Sequence, residues 1–153
     1  MAKKRSDKRD LPRSQIGALP VFTDEAGRSW ILLITSRETR RWIIPKGWPM
    51  KGRKDHEAAA QEAMEEAGVV GQIGHEPVGT YLYWKRQAAH FELCDVKVFR
   101  LNVEGQLETW PEKSQRETRW FSFAEAADRV EEPGLRNLIR RLAPSESGDE
   151  PQV

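Results

Sequence analysis

The stretch over residues 55–68, Asp-His-Glu-Ala-Ala-Ala-Gln-Glu-Ala-Met-Glu-Glu-Ala-Gly, constrains this chain more than any other. It is built from strong helix formers with no β-branched residue. Asp55 before it suits an N-cap and Gly68 suits the left-handed residue that ends a helix. The spacing predicts a helix over residues 56–67. On it Glu62, Glu65 and Glu66 stand at i, i+3 and i+4 and share one face. Ala60, Ala63, Met64 and Ala67 fall on the opposite side, which is expected to pack on a sheet, while Ala58 and Ala59 lie beside the acidic face. Three like charges repel, by roughly a few tenths of a kcal/mol per i, i+4 pair, and they sit toward the end of the helix where the macrodipole disfavours anions. A hard divalent cation with oxygen ligands offsets both costs. Taken alone, the helix reads more readily as an Ala/Glu-rich solvated surface.

Around it the period of the sequence changes. Residues 15–22 read as a strand, residues 24–28 as a Gly-containing turn, and residues 29–35 as a second, continuously apolar strand covered on both faces. Residues 42–45 are short and extended, since a residue before proline avoids the helical region. Residues 47–52 form a loop before the helix. Further strands are expected at 77–84, 89–101 and 117–121. Ser122 and Glu125 match a capping box, and Pro133 opens a separate helix to about Leu142. This β-β-β-α-β-β-β-α order implies an α/β (α+β) chain with a mixed sheet between helices. A basic flexible arm is expected over residues 1–13, one domain over 14–142 and a polar disordered tail over 143–153.

Composition narrows the partners. Twenty-five Lys and Arg against 24 Asp and Glu leave a formal net charge of +1, so no global field favours nucleic acid or an acidic membrane. No apolar run reaches the roughly 20 residues a membrane helix needs. The one cysteine, Cys94, cannot form an internal disulfide and reads as a buried inert thiol. The expected setting is the cytoplasm, with no membrane and no specific nucleic acid as partner. His56 and His90 have no second ligand at zinc spacing.

Residues 47–69 decide the reading. Gly47, Glu62, Glu65, Glu66, Gly68 and Val69 fall on the pattern G-x5-E-x7-R-E-U-x-E-E-x-G-U, which resembles the Nudix box. The flanking Trp-Ile-Ile-Pro-Lys-Gly (42–47) and Arg-Trp-Phe-Ser-Phe-Ala-Glu-Ala (119–126) are similar to the same family, and the resemblance runs over about residues 14–142. Ser36-Arg37 and Arg41-Trp-Ile-Ile-Pro45 look most like the diphosphoinositol polyphosphate and diadenosine polyphosphate hydrolases. The chain departs from the box in three places: Arg53 stands for Glu, Gln61 for Arg, and Ala63 for a bulky apolar residue.

The resemblance implies a Nudix-type α-β-α sandwich and a hydrolase that cleaves a phosphoanhydride bond with Mg²⁺, or Mn²⁺ in its place. It makes Glu62, Glu65 and Glu66 the catalytic carboxylates and metal ligands, with the backbone carbonyl of Lys46 as a further ligand and Glu65 or Glu62 as the base. Gly47, Gln61 and Gly68 hold the motif's shape. Phosphate-binding candidates are Arg37, Arg40, Arg41, Lys46, Lys51, Arg53 and Lys54, with Lys85, Arg86, Lys113 and Arg116 from other loops. Arg53 is expected to return the positive charge that Gln61 lost, so that Arg53→Ala lowers turnover more than Lys54→Ala. The expected substrate is a small polyphosphate, either a (di)nucleoside polyphosphate or a diphosphoinositol polyphosphate. A nucleoside triphosphate, ADP-ribose, a capped RNA end, or a non-catalytic binding module on the same fold are the alternatives. The sequence does not specify oligomeric state. Of the six tryptophans, Trp30 and Trp42 are expected in the core, with Trp48, Trp84 and Trp110 nearer the rim, where one could stack on a base.

Overall fold

A computed structural model describes residues 11–145. The expectations for most of the arm and most of the tail lie outside the described residues. The elements are β1 (Arg13–Thr23), β2 (Ser29–Thr35), β3 (Trp42–Ile43), β4 (Lys46–Gly47), α1 (Asp55–Ala67), β5 (Val69–Ile73), β6 (Gly79–Arg86), β7 (Phe91–Gln106), β8 (Thr118–Ser122), α2 (Phe123–Arg129) and α3 (Pro133–Leu142).

The two longest strands, β1 and β7, pair in parallel over Arg13–Val21 and Cys94–Asn102 and form the spine of one eight-stranded mixed sheet. Each outer edge of this pair is shared by two shorter strands. β4 takes the first half of β1 and β2 the second, while β6 takes the first half of β7 and β5 the last. The β1 edge is therefore split between β2 and β4, and the segment between them can leave the sheet. β8 and β3 extend it beyond β2.

Both faces are covered. On one, Leu19, Val21, Ile31, Leu33, Val96, Val98 and Phe121 pack with α2 and α3. On the other, Ile16, Ala18, Leu32, Ile34, Phe99 and Leu101 pack with the alanines of α1. This explains the unbroken apolar run of β2, whose Ile31 to Ile34 are all buried: a strand covered twice has no polar face. Each fully buried side chain of this kind contributes roughly 1.5–3 kcal/mol. The expected helix–sheet–helix sandwich is the fold observed.

Four local readings differ from expectation. First, α1 begins at Asp55, and its N-cap is Lys54. The Asp55 carboxylate instead accepts from Lys97 at 2.9 Å, and Glu57 takes up the Lys54 backbone N–H at 2.9 Å. Second, the packing face of α1 is turned. Ala58, Ala59, Ala63 and Ala67 are fully buried, with Glu66 among them at 6% exposure, whereas Ala60 and Met64 are half-buried. The alanines are small enough to let the helix seat against β1, β4 and β5 at once, so the acidic face and the packing face overlap at Glu66. Third, β5 follows Gly68 directly, where no strand was expected. Its five residues carry a bulge at Val70/Gly71 and no clean alternation, so periodicity alone does not reveal it. Fourth, the loop expected at Gly47 begins with a two-residue strand, because Lys46 and Gly47 pair with Gly17 and Ile16. The end of α1 is as expected: Gly68 has φ +73° and its N–H donates to the Met64 carbonyl at 3.0 Å.

Candidate functional site

The C-terminal half of α1 lies beside β4, and the contact is made by carboxylates. Gly47 leaves no room for a side chain, since a Cβ there would collide with the Glu62 carboxylate. One turn on, Glu66 Oε1 accepts from the Lys46 backbone N–H at 3.2 Å. Glu62 and Glu66 lie close enough for each carboxyl to act on the other. Burial first, then Glu66 and Glu65 nearby, push Glu62 up to about 8. Burial also raises Glu66, against the pull of Arg116 and Lys46.

Arg116 supplies the positive charge. Its side chain is 8% exposed, and Nη2 lies 3.8 Å from Glu66 Oε2. Nε donates to Glu112 Oε1 at 2.8 Å and Nη1 to the Thr35 carbonyl at 3.1 Å. The loop that carries Arg116 is pinned to the helix by its backbone, where the Glu112 N–H donates to the Glu65 carbonyl at 3.0 Å. Glu65 is turned aside, and its Oε2 accepts from Gln61 Nε2 at 2.7 Å. The carboxylates thus come as a pair with a third held off, and among the described residues no three His, Cys, Asp or Glu side chains form a ready cluster for a metal ion.

The basic residues separate into groups. The Lys46 ammonium lies 4.9 Å over the Tyr83 ring, and burial lowers it to about 8 although Glu132 and Glu66 oppose this. Arg41 meets Glu131 at 3.3 Å, and Arg37 donates to Gln115 at 3.1 Å. Lys51, Arg53 and Lys54 are exposed around the start of α1, where the Arg53 charge acts on Glu57. From Lys54 to Glu62 the helix rises about 12 Å. The guanidinium that meets the box carboxylates is therefore Arg116, and the structure gives Arg53 no such contact. Only the general abundance of basic residues pointed to Arg116; no spacing rule connects it to residue 66. Trp48 is 37% exposed under the Arg13 guanidinium, and Trp84 is 61% exposed. Trp42, half-buried, meets the Phe121 ring edge-on at 5.1 Å. Cys94 is buried and free.

Beside Lys46 opens a pocket of about 770 Å³ between β6 and the start of α3, lined by Arg41, Tyr81, Tyr83, Trp84 and Glu132 among others. Tyr83 forms a wall of this pocket and carries the Lys46 ammonium on its ring, so the pocket adjoins the carboxylate pair.

Comparison with known families places the chain. The NUDIX domain matches residues 12–142. The chain belongs to the Nudix family. It is 31% identical over 130 residues to Nudix hydrolase 21, chloroplastic, of Arabidopsis thaliana, a match covering 83% of this chain and 64% of that protein. To Nudix hydrolase 16, mitochondrial, of the same plant it is 31% identical over 145 residues, covering 85% and 79%. It spans between 46% and 64% of the length of four such Nudix relatives. In fold it is similar to the C. elegans Ap4A hydrolase, with TM-score 0.62, 17% identity and coverage of 86% and 96%. It is equally similar to the NUDIX domain of Shewanella oneidensis NrtR complexed with ADP ribose, with TM-score 0.63, 14% identity and coverage of 92% and 96%. Against the Nudix pattern, Gln61 now has a contact: it holds Glu65 where the box has an arginine. Among the described residues, no helix is long and apolar enough to cross a membrane.

Proposed function

We propose that this Nudix chain is a Mg²⁺-dependent hydrolase of a phosphoanhydride bond in a nucleoside or dinucleoside polyphosphate. The observation that carries the reading is the Glu62–Glu66 pair, packed against Gly47 beside the buried Arg116. Two carboxylates forced together in a half-buried site are poorly satisfied by a proton, and every donor around them is oxygen, the set a hard divalent ion takes. Glu62, Glu66 and the Lys46 carbonyl would hold the ion, with Glu65 in reserve on Gln61. Bound there, it would neutralise phosphate charge and acidify a water.

The rest falls to the chain's own groups. Arg116 holds Glu66 in place and keeps net charge at the site from becoming strongly negative. The Lys46 ammonium lies over the Tyr83 ring and would take a phosphate oxygen. Arg41 lines the same pocket and can exchange its exposed partner Glu131 for phosphate. Glu65, held by a single neutral hydrogen bond, is free to accept a proton from water. A nucleotide is favoured over a diphosphoinositol, which would need more cations than the pocket has. The buried, free Cys94 suits a reducing compartment such as the cytoplasm.

The test is release of phosphate and nucleotide with Mg²⁺ from diadenosine polyphosphates, nucleoside triphosphates, ADP-ribose and a diphosphoinositol polyphosphate, with Glu66→Gln as control. Turnover that vanishes in Glu66→Gln supports the reading. Absence of turnover across the panel with Mg²⁺ and Mn²⁺ points instead to a binding module on a Nudix fold.

A further inference from the structure

β6 lies at an edge of the sheet, and its register against β7 runs unbroken from Gly79↔Val98 to Arg86↔Phe91. Edge strands are usually blunted by shortness, proline, a bulge or charges, because their free backbone groups invite another strand. The other short strands follow that rule. β3 and β4 have two residues each, β8 has five, and β5 has five with a bulge at Val70/Gly71. β6 has eight residues and no proline, and its charges, Lys85 and Arg86, are confined to its end.

The ladder shows which backbone groups of β6 are free. The Gln87 N–H donates to the His90 carbonyl at 2.7 Å, in the same register as the strand pair. Bonding to β7 therefore falls on the odd residues Tyr81, Tyr83 and Lys85, and the N–H and C=O of Thr80, Leu82, Trp84 and Arg86 point away from β7. The side chains of these four are exposed as well, Leu82 at 52% and Trp84 at 61%. The 770 Å³ groove touches Tyr81 and Tyr83 on one face of β6 and Thr80, Leu82 and Trp84 on the other. It passes round the backbone edge between them and leaves that edge open.

We propose that this edge is the interface of a two-fold dimer, in which β6 of one copy pairs antiparallel with β6 of a second copy about Tyr83. A two-fold interface needs a surface that is complementary to itself. About Tyr83 the strand meets that condition. The four residues with outward backbone groups pair among themselves, Leu82 with the partner's Trp84 and Thr80 with the partner's Arg86, so every outward N–H and C=O from Thr80 to Arg86 gains a bond. Lys85 falls opposite the partner's Tyr81, and no two like charges stand directly opposite each other. The Leu82–Trp84 pairing covers the two most exposed apolar side chains of the strand. Each copy has one such edge, so the assembly closes at two. The added strand lies in the plane of the sheet, about 4.8 Å from β6, whereas Arg41 and its partner Glu131 line the groove from the side of α3. The inference does not depend on the hydrolase reading.

The test is sedimentation velocity of the full chain from about 1 µM to about 1 mM, with amide hydrogen exchange at both ends of that range. The mass is expected to rise from one chain to two. The Leu82 and Trp84 amides, which β7 does not hold, are expected to exchange ~10-fold or more slowly at the higher concentration, with Tyr81 and Tyr83 as the reference. In Leu82→Pro the lost N–H is one that faces the second copy, so the bonds to β7 remain, and the chain is expected to stay single throughout. Trp84→Lys, at an exposed side chain, is expected to do the same and serves as the second variant should proline disturb the fold. A single mass for the wild type at every concentration, growth beyond two copies, a dimer whose Leu82 and Trp84 amides exchange as in the single chain, or a dimer of unchanged affinity in Trp84→Lys would overturn the inference. The wild-type measurements need no variant, so a folding defect cannot mask them.

Discussion

At the scale of single residues, the site depends on which charges touch. Arg116 is 8% exposed and tied to Glu66, Glu112 and the Thr35 carbonyl. Arg116→Met leaves two buried carboxylates facing each other, and a loss of about 3 kcal/mol in chemical denaturation is expected, together with a steep fall in kcat. Arg53→Ala should change both by little, since Arg53 is exposed and its charge acts on Glu57. Comparable losses in the two variants would show that the guanidinium on the helix is not the one that matters. Glu66→Gln is expected to lower kcat by about 100-fold or more. The carboxylates themselves were legible, because i, i+3, i+4 spacing is a local property of the chain. Arg116 was legible only as one basic residue among many, because it becomes relevant only when a loop 50 residues away in the chain returns to the site.

At the scale of elements, two glycines set where α1 starts its work and where it stops. Gly68 has φ +73°, and a Cβ there would collide with the Trp110 ring, so Gly68→Ala combines backbone strain with a clash. A loss of roughly 1–3 kcal/mol is expected from the strained backbone alone, measured by urea denaturation with an unchanged slope. Gly47→Ala acts differently, since the added methyl meets the flexible end of Glu62. It should displace that carboxylate and abolish Mg²⁺ binding by calorimetry at a smaller cost in stability, and unchanged Mg²⁺ affinity would disprove the cradle. The helix was legible from composition and caps, to within one residue at its start. Its orientation was not: alanines lie on several sides of it, so the sequence offers more than one packing face, and the chosen one includes Glu66. The strand Val69–Ile73 escaped for a related reason, since Gly71 and a bulge break the alternation that marks a strand.

For the whole molecule, the site's charges make stability depend on pH with a definite sign. Folded Glu62 keeps its proton up to about 8, whereas an unfolded one releases it near its ordinary 4.5. Between these values the folded state binds more protons, so stability falls as pH rises through that window. Folded Lys46 releases its proton near 8 against an ordinary 10.5, so above that point the unfolded state binds more and stability rises again. These two groups together place a minimum near pH 8 in the melting temperature of the metal-free protein. Added Mg²⁺ should raise the melting temperature more at pH 8 than at pH 6, because at the lower pH it competes with the Glu62 proton. An equal rise at both would separate Mg²⁺ from this pair.

By itself the sequence determined most of the order of strands and helices, the doubly covered β2, the acidic helix and its C-terminal cap. All of these follow from residues within one or two turns of each other, where periodicity and capping chemistry act. The tertiary structure decided the rest. The split edge of β1, shared by β2 and β4, brings Gly47 under Glu62. The loop before β8 delivers Arg116 to a carboxylate in place of the basic run nearest in sequence. The start of α3 sets Glu132 at the edge of the pocket beside β6. Contacts between distant segments depend on how two sheet faces and three helices fill the same space, and no local spacing encodes that.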